Sequence, residues 1–389
     1  MTFPLNDLKV LDMSRVLAGP FAGRMLADLG ADVVKVEPPN GDVTRFWGAN
    51  ISGIAGYYHQ QNVGKRNICI DLHDPKGPEI IKQLVSVADV LIENFRPDVM
   101  PKFGLSYAEL EKINPRLVML SISGFGAGGP ESKRAAYAPI IHAESGLLER
   151  QGKLQGGKLT DIAVSVADTN ASMHGLVGLL SALLLREKTG VGDHVDVAML
   201  DAMLVNDDAL HFSLENSWET KGGAAEVWET SAGPLIIAGD FRFIWRQLNE
   251  VCGVSDPTPE GAVLEDKIRL RRSAAATYFN KTCSSRDEVI VNLDKMNLAW
   301  GDVRSMASIP EQPTVQHRKT ITRVDDRSGG TRPVVQSPYR FTNAESGVRA
   351  GAAHKGEHNE VVLKQWLSWT TEEILGVGPA LVGDSEKAE

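Results

Sequence analysis

Two periods of apolar residues alternate along the first 125 positions. A short apolar run at 8–13 leads into residues 18–29, where Phe21, Met25, Leu26 and Leu29 recur at helical spacing and Gly30 supplies the stop. A second run at 32–37 closes in Pro38, Pro39, Asn40, Gly41 and Asp42, which is turn chemistry. The rhythm starts again at 67–72. Asp74 before Pro75 marks a helix start, with Ile80, Ile81, Leu84 and Val85 as its stripe. Ser106 and Glu109 form a capping box for a helix through Ile113, between apolar runs at 90–93 and 117–121. Strands this apolar, separated by helices, predict an α/β fold whose parallel sheet is covered on both faces.

Residues 162–166 and 194–197 read as further strands flanking an apolar helix at 169–185. From Trp218 onward Gly, Pro, Ser and charged residues mix with short strands at 235–238 and 334–335. Helical spacing returns at 358–367, and the tail 383–389 is polar. The predicted organisation is a large domain over 1–217, a smaller α+β domain over 218–335, and a segment 336–389 that completes the first.

Charge changes the picture of partners. With 41 basic and 50 acidic residues the net charge is −9, so the chain lacks the field that nonspecific nucleic-acid binding requires. Cys69, Cys252 and Cys283 are too few and scattered for a disulfide framework or a zinc ribbon. The first residues have no basic, apolar leader pattern, and the most apolar run, 175–185, is shorter than the ~20 residues of a membrane span. A cytoplasmic protein with neither membrane nor nucleic-acid partner is expected.

Three motifs offer chemistry. Gly124, Gly126 and Gly129 match G-x-G-x-x-G after a strand, but the residues from Pro130 to Arg134 give no helical stripe, so a flexible loop fits better than a dinucleotide turn. His354, Glu357 and His358 have H-x-x-E-H spacing, but Gly356 between them spoils the helix that zinc would need, and no metal site is predicted. Arg15, Arg45, Lys65, Arg66, Asn94, Arg96, Lys102 and Arg134 gather near strand ends, where a polyphosphate such as coenzyme A would bind. Asp168 precedes the apolar helix. An Asp there is ordinarily an N-cap. The positive helix end also suits a nucleophilic carboxylate, with room left by Ala167, Ala171, Ser172 and Gly175.

The run from Leu11 to Pro20, LDMSRVLAGP, followed by LGADVVKVE from Leu29 to Glu37, resembles the start of the family III CoA-transferases. Gly64-Lys65-Arg66-Asn67, DVLIENFR at 89–96, Asn114-Pro115-Arg116, KTGVG at 188–192, VDVAMLD at 195–201 and Gly356-Glu357-His358 continue the likeness. That resemblance implies a Rossmann-like large domain built from both chain ends, a smaller domain between, and an interlocked homodimer. It implies Asp168 as the catalytic residue, attacking an acyl-CoA thioester to give an aspartyl anhydride and then an aspartyl-CoA thioester, with a carboxylic acid as acceptor. It places Val16, Leu17, Ala18, Leu72, His73, Asn94, Phe95, Arg96, Lys102 and Tyr137 along the CoA site. CoA enters as a substrate, with no tightly bound cofactor.

Some positions depart from the family's formyl-CoA transferases. Leu17 replaces a glutamine, Pro38 and Lys102 replace arginines, and His73 replaces a lysine; the glycine-rich flap has only Gly222-Gly223 as its nearest counterpart. Tyr137 stands where the family's racemases carry a histidine, with His142 five residues away, and Arg242 stands in place of a glutamate. A phenol is a poor base for an α-proton at neutral pH. CoA transfer is therefore the preferred expectation; α-methylacyl-CoA racemisation and a noncatalytic CoA-binding scaffold are the alternatives.

Overall fold

A computed structural model describes residues 2–217 and 225–383. Contacts divide the chain into two compact units, Met1–Leu210 with Gln316–Glu389, and His211–Val315.

The central sheet of the first unit has six strands: β1 (Lys9–Asp12), β2 (Asp32–Glu37), β3 (Arg66–Cys69), β4 (Val90–Glu93), β5 (Val118–Ser123) and β6 (Asp193–Ala198). They lie in the order β3-β2-β1-β4-β5-β6, and every neighbouring pair is parallel. The period of two sends alternate residues to opposite faces. Val10, Val33, Val90 and Leu120 pack with helices Ala18–Asp28 and Val166–Thr189. Leu11, Val34, Leu91 and Met119 pack with helices Lys76–Val87, Tyr107–Ile113 and Asn359–Leu367. Both faces are covered, which is why the strands read as unbroken apolar runs. Strand order reverses between β1 and β4, and open parallel sheets place ligands beyond the carboxyl ends of strands at such a point.

The predicted strand at 162–166 does not form. Residues 162–165 pair with no strand and run as bends into the helix. The helix instead begins at Val166 and runs to Thr189, with Gly190 in the left-handed region at φ +77° as its stop. Asp168 consequently lies inside the first turn rather than at the N-cap.

In the second unit an antiparallel sheet places Gly233–Ala238 between Ala225–Thr230 and Trp300–Asp302. Leu235, Ile237, Ile244, Leu248, Phe279 and Leu293 form its core. This unit ends at Val315, ahead of the residue 335 read from composition. The hairpin of Ile321–Asp325 and Thr331–Val335 lies with the first unit, where Arg332 Nη1 donates to Ile54 O at 2.9 Å. Gly222-Gly223 and most of the polar tail fall outside the described residues. Among the described residues no helix is long and apolar enough to cross a membrane.

Candidate active site

The loop after β1 is built on a buried polar network. Asp12, fully buried, accepts from Lys65 Nζ at 2.8 Å, from the Ser14 amide at 3.0 Å, and from the Ser14 hydroxyl. Lys65 also donates to Pro20 O and Asn62 Oδ1. Lys35 donates to Ser14 O at 2.7 Å and pairs with Asp42 at 3.3 Å. Burial works against the Asp42 carboxylate, but Lys35 and the amides of Thr44 and Val16 outweigh it and hold its pKa at about 2. The same network bends the chain. Val16 sits at φ +68°, a conformation costly for a β-branched residue, and its amide donates to Asp42 Oδ2 at 3.1 Å. At position 19 a Cβ would come within 2.1 Å of Ser14 Cβ, so glycine is required for this close return.

This bend delivers Leu17 and Ala18 to the start of helix Ala18–Asp28, beside Asp168. Ser172, one turn along from Asp168, donates its hydroxyl to Ala18 O and to Asp168 O, which ties the two helix starts together. Burial pushes the half-buried Asp168 carboxyl up to about 6, against the lowering effect of the Ala18 amide. Tyr57 is within electrostatic reach: burial first, then the Asp168 charge, raises its phenol above the usual range. The small residues near Asp168 do not open space for a ligand. Ala167, Ala171, Ser172 and Gly175 are buried, and a Cβ on Gly175 would sit 3.1 Å from Leu120.

The other predicted residues fall into groups. Asn94 Oδ1 accepts the Arg15 amide at 2.7 Å and Nδ2 donates to Arg15 O at 2.8 Å, which locks the β4 loop to the β1 loop across the point of reversal. Phe95 and Arg96 line a cavity of about 340 Å³ with Met100, Tyr107, Met119 and His194. At its floor, burial lifts Glu93 to about 7, and its carboxylate accepts the Phe95 amide at 2.7 Å. Lys102 and, more loosely, Arg96 pair with Asp98 at 2.5 and 3.9 Å. Leu72 packs into the second core, and His73 meets Phe103 edge-on at 5.5 Å. Tyr137 is 60% exposed, at the head of helix Ala138–Glu144.

Most of the predicted cationic cluster is not available to a ligand. Arg45 is bidentate to Glu37, Lys65 is buried against Asp12, Arg66 pairs with Asp32, and Arg134 pairs with Glu131 and Glu144. Arg15, Arg96 and Lys102 are exposed at the strand ends, and Arg134 is exposed as well despite its two partners. The glycine loop after β5 leads into turns, with the next helix at Ala138–Glu144, and its Ala127 amide donates to Asp196. In the H-x-x-E-H segment Glu357 pairs with Arg327, and His358 Nδ1 accepts the Asn67 amide. His142, set aside on sequence spacing, is the residue that sequence reasoning missed: its ring accepts the Ala167 amide next to Asp168.

Residues 5–359 match CoA-transferase family III. The chain is 32% identical to a succinate–glutarate CoA-transferase of Agrobacterium fabrum over 93% of its own length and 95% of that protein's. It is 30% identical to a formyl-CoA:oxalate CoA-transferase of Shigella boydii over 96% of its length and 98% of the relative's. Among solved structures, a CAIB/BAIF family protein from Brucella suis superposes with a TM-score of 0.79 at 30% identity, covering 94% of this chain and all of that one. With a family match over most of its length and relatives aligned nearly end to end, the chain belongs to CoA-transferase family III.

Proposed function

We propose that this protein moves coenzyme A from an acyl-CoA thioester to a carboxylic acid, with Asp168 as the covalent relay. The observation that carries the proposal is the Asp168 carboxyl itself. It is half-buried in the first turn of a helix, beside the Ala18 amide that follows the loop after β1, with its pKa raised to about 6. A carboxylate desolvated in this way is more nucleophilic than one in water yet remains ionised at neutral pH.

In the proposed reaction an Asp168 oxygen bonds to the thioester carbonyl carbon, and the carbon–sulfur bond breaks to release CoA thiolate. The thiolate then attacks Cγ of Asp168 in the mixed anhydride, which frees the donor carboxylate and leaves an aspartyl-CoA thioester. The acceptor carboxylate reverses both steps. One thioester replaces another, so the demand on the protein is to hold the carboxylate and exclude water from the anhydride. Leu17, buried at the helix start, supplies an apolar wall there. Val16, Ala18, Asn94, Phe95, Arg96, Lys102, Leu72, His73 and Tyr137 are read as the CoA-binding residues of a Rossmann-like unit.

Relatives named for succinate, glutarate, malate and oxalate support a short dicarboxylic acid on at least one side of the exchange. Val177 and Leu184, exposed and apolar on helix Val166–Thr189, support the reading of an interlocked homodimer.

Incubation with succinyl-CoA and a pool of carboxylic acids, followed by mass spectrometry of CoA esters, is expected to reveal a new acyl-CoA and stoichiometric succinate. Binding without exchange would support the scaffold alternative instead. Because Asp168 must be ionised to attack, kcat/KM is expected to be flat above about pH 6 and to fall tenfold per unit below it. A profile flat down to pH 4.5 would remove Asp168 from the rate law.

A further inference from the structure

The helix that carries Asp168 begins without a cap of its own. Ser165 stands at the N-cap position, and its side chain makes no bond to the first-turn amides. First-turn amides have no partner within the helix, so an acceptor must come from elsewhere. It comes from helix Ala138–Glu144. The Ala167 amide donates to His142 Nε2 at 3.3 Å, and His142 is 1% exposed. The other ring nitrogen, Nδ1, lies 2.8 Å from Asp161 Oδ1, an oxygen that also accepts the Ile162 amide at 2.8 Å.

These contacts select one form of the ring. A backbone N–H can only donate, so Nε2 must present its lone pair and Nδ1 must carry the proton that goes to Asp161. Asp168 itself stands inside the first turn, past the N-cap position, and the imidazole takes the Ala167 amide that the Ser165 side chain leaves without an acceptor. A neutral cap also adds no second negative charge beside Asp168, as a carboxylate cap would.

We propose that His142, oriented by Asp161, is a positioning residue for the reaction at Asp168: a neutral imidazole cap on the Ala167 amide that fixes the turn of helix bearing the carboxylate. The proposal rests on Asp168 as the nucleophile. No covalent role is assigned to the imidazole.

Three variants of the full chain test it. His142→Ala is expected to lower kcat about 3- to 30-fold, the change that loss of a helix cap represents, with KM for acyl-CoA within about twofold. His142→Gln, whose side-chain carbonyl can accept near the Nε2 position, is expected to recover kcat to within about threefold of the wild type. Asp161→Asn no longer dictates the tautomer; it is expected to lower kcat and to mix the ring signals in nitrogen NMR of histidine-labelled protein. A merely structural role would lower the melting temperature without separating kcat from KM and without rescue by glutamine.

Native kcat in His142→Ala, no recovery in His142→Gln, or a wild-type spectrum with the proton on Nε2 would each overturn the proposal. If His142→Ala does not fold, the glutamine variant and the wild-type spectrum decide. A wild type that transfers no CoA refutes the function proposed above, whereas the tautomer still judges the cap by itself.

Discussion

Asp168→Asn is expected to abolish CoA transfer and, at neutral pH, to make the protein more stable. The amide preserves the shape of the carboxyl but cannot form an anhydride, so the loss in kcat should approach about 10⁶-fold, the scale seen when a covalent nucleophile is removed. The stability effect follows from the raised pKa. In the folded chain Asp168 holds its proton up to about pH 6, whereas its ordinary value is 3.8. Between those values the folded state binds more protons than the unfolded state, so stability falls as pH rises and the deficit is complete above about pH 6. Asparagine removes the deficit. For a half-buried group this is worth about 2 kcal/mol after solvent screening. Thermal melts at pH 4 and pH 8 measure it: the variant should gain on the wild type at pH 8 and much less at pH 4.

Lys65→Met is expected to have the second largest effect, and on the fold. Removing the ammonium leaves Asp12, fully buried, without its closest cation, and withdraws donors from Pro20 O and Asn62 Oδ1. Breaking one side of a buried pair costs about 3–5 kcal/mol. Replacing both partners by apolar groups is far milder. Asp12→Leu combined with Lys65→Met should therefore recover most of the denaturant midpoint. It should not recover activity, because Asp12 also holds Ser14 through its amide and hydroxyl, and that loop presents Leu17 and Ala18 to Asp168. Chemical denaturation read beside CoA transfer separates the two effects. A double variant that is stable and fully active would show that the loop does not depend on Asp12.

The central sheet was legible because its strands are buried on both faces. Residues 32–37 and 90–93 were read as strands, and they form β2 and β4 with those bounds. The capping box at Ser106 and Glu109 is present for a similarly local reason, since four consecutive residues suffice to specify it. The segment 162–166 misled because Ile162, Val164 and Val166 alternate like a strand, whereas pairing depends on a partner strand that only the folded chain supplies, and none lies beside it. The cations misled for a related reason. Lys65 and Arg66 find their carboxylates 53 and 34 positions away, and only the folded sheet brings Asp12 and Asp32 beside them. Asp168 itself could be read from its place before an apolar helix. The cap on its helix could not, because the Ala167 amide is taken by His142 from a different helix.

The most direct test is chemical capture of the aspartyl anhydride or thioester. The enzyme is incubated with acyl-CoA, quenched with hydroxylamine or borohydride, digested, and the peptide containing Asp168 is weighed. A hydroxamate or a reduced alcohol at Asp168, dependent on acyl-CoA and absent from Asp168→Asn, is the expected result. An unmodified Asp168 peptide from an enzyme that is turning over, or a label on a different residue, would contradict the account.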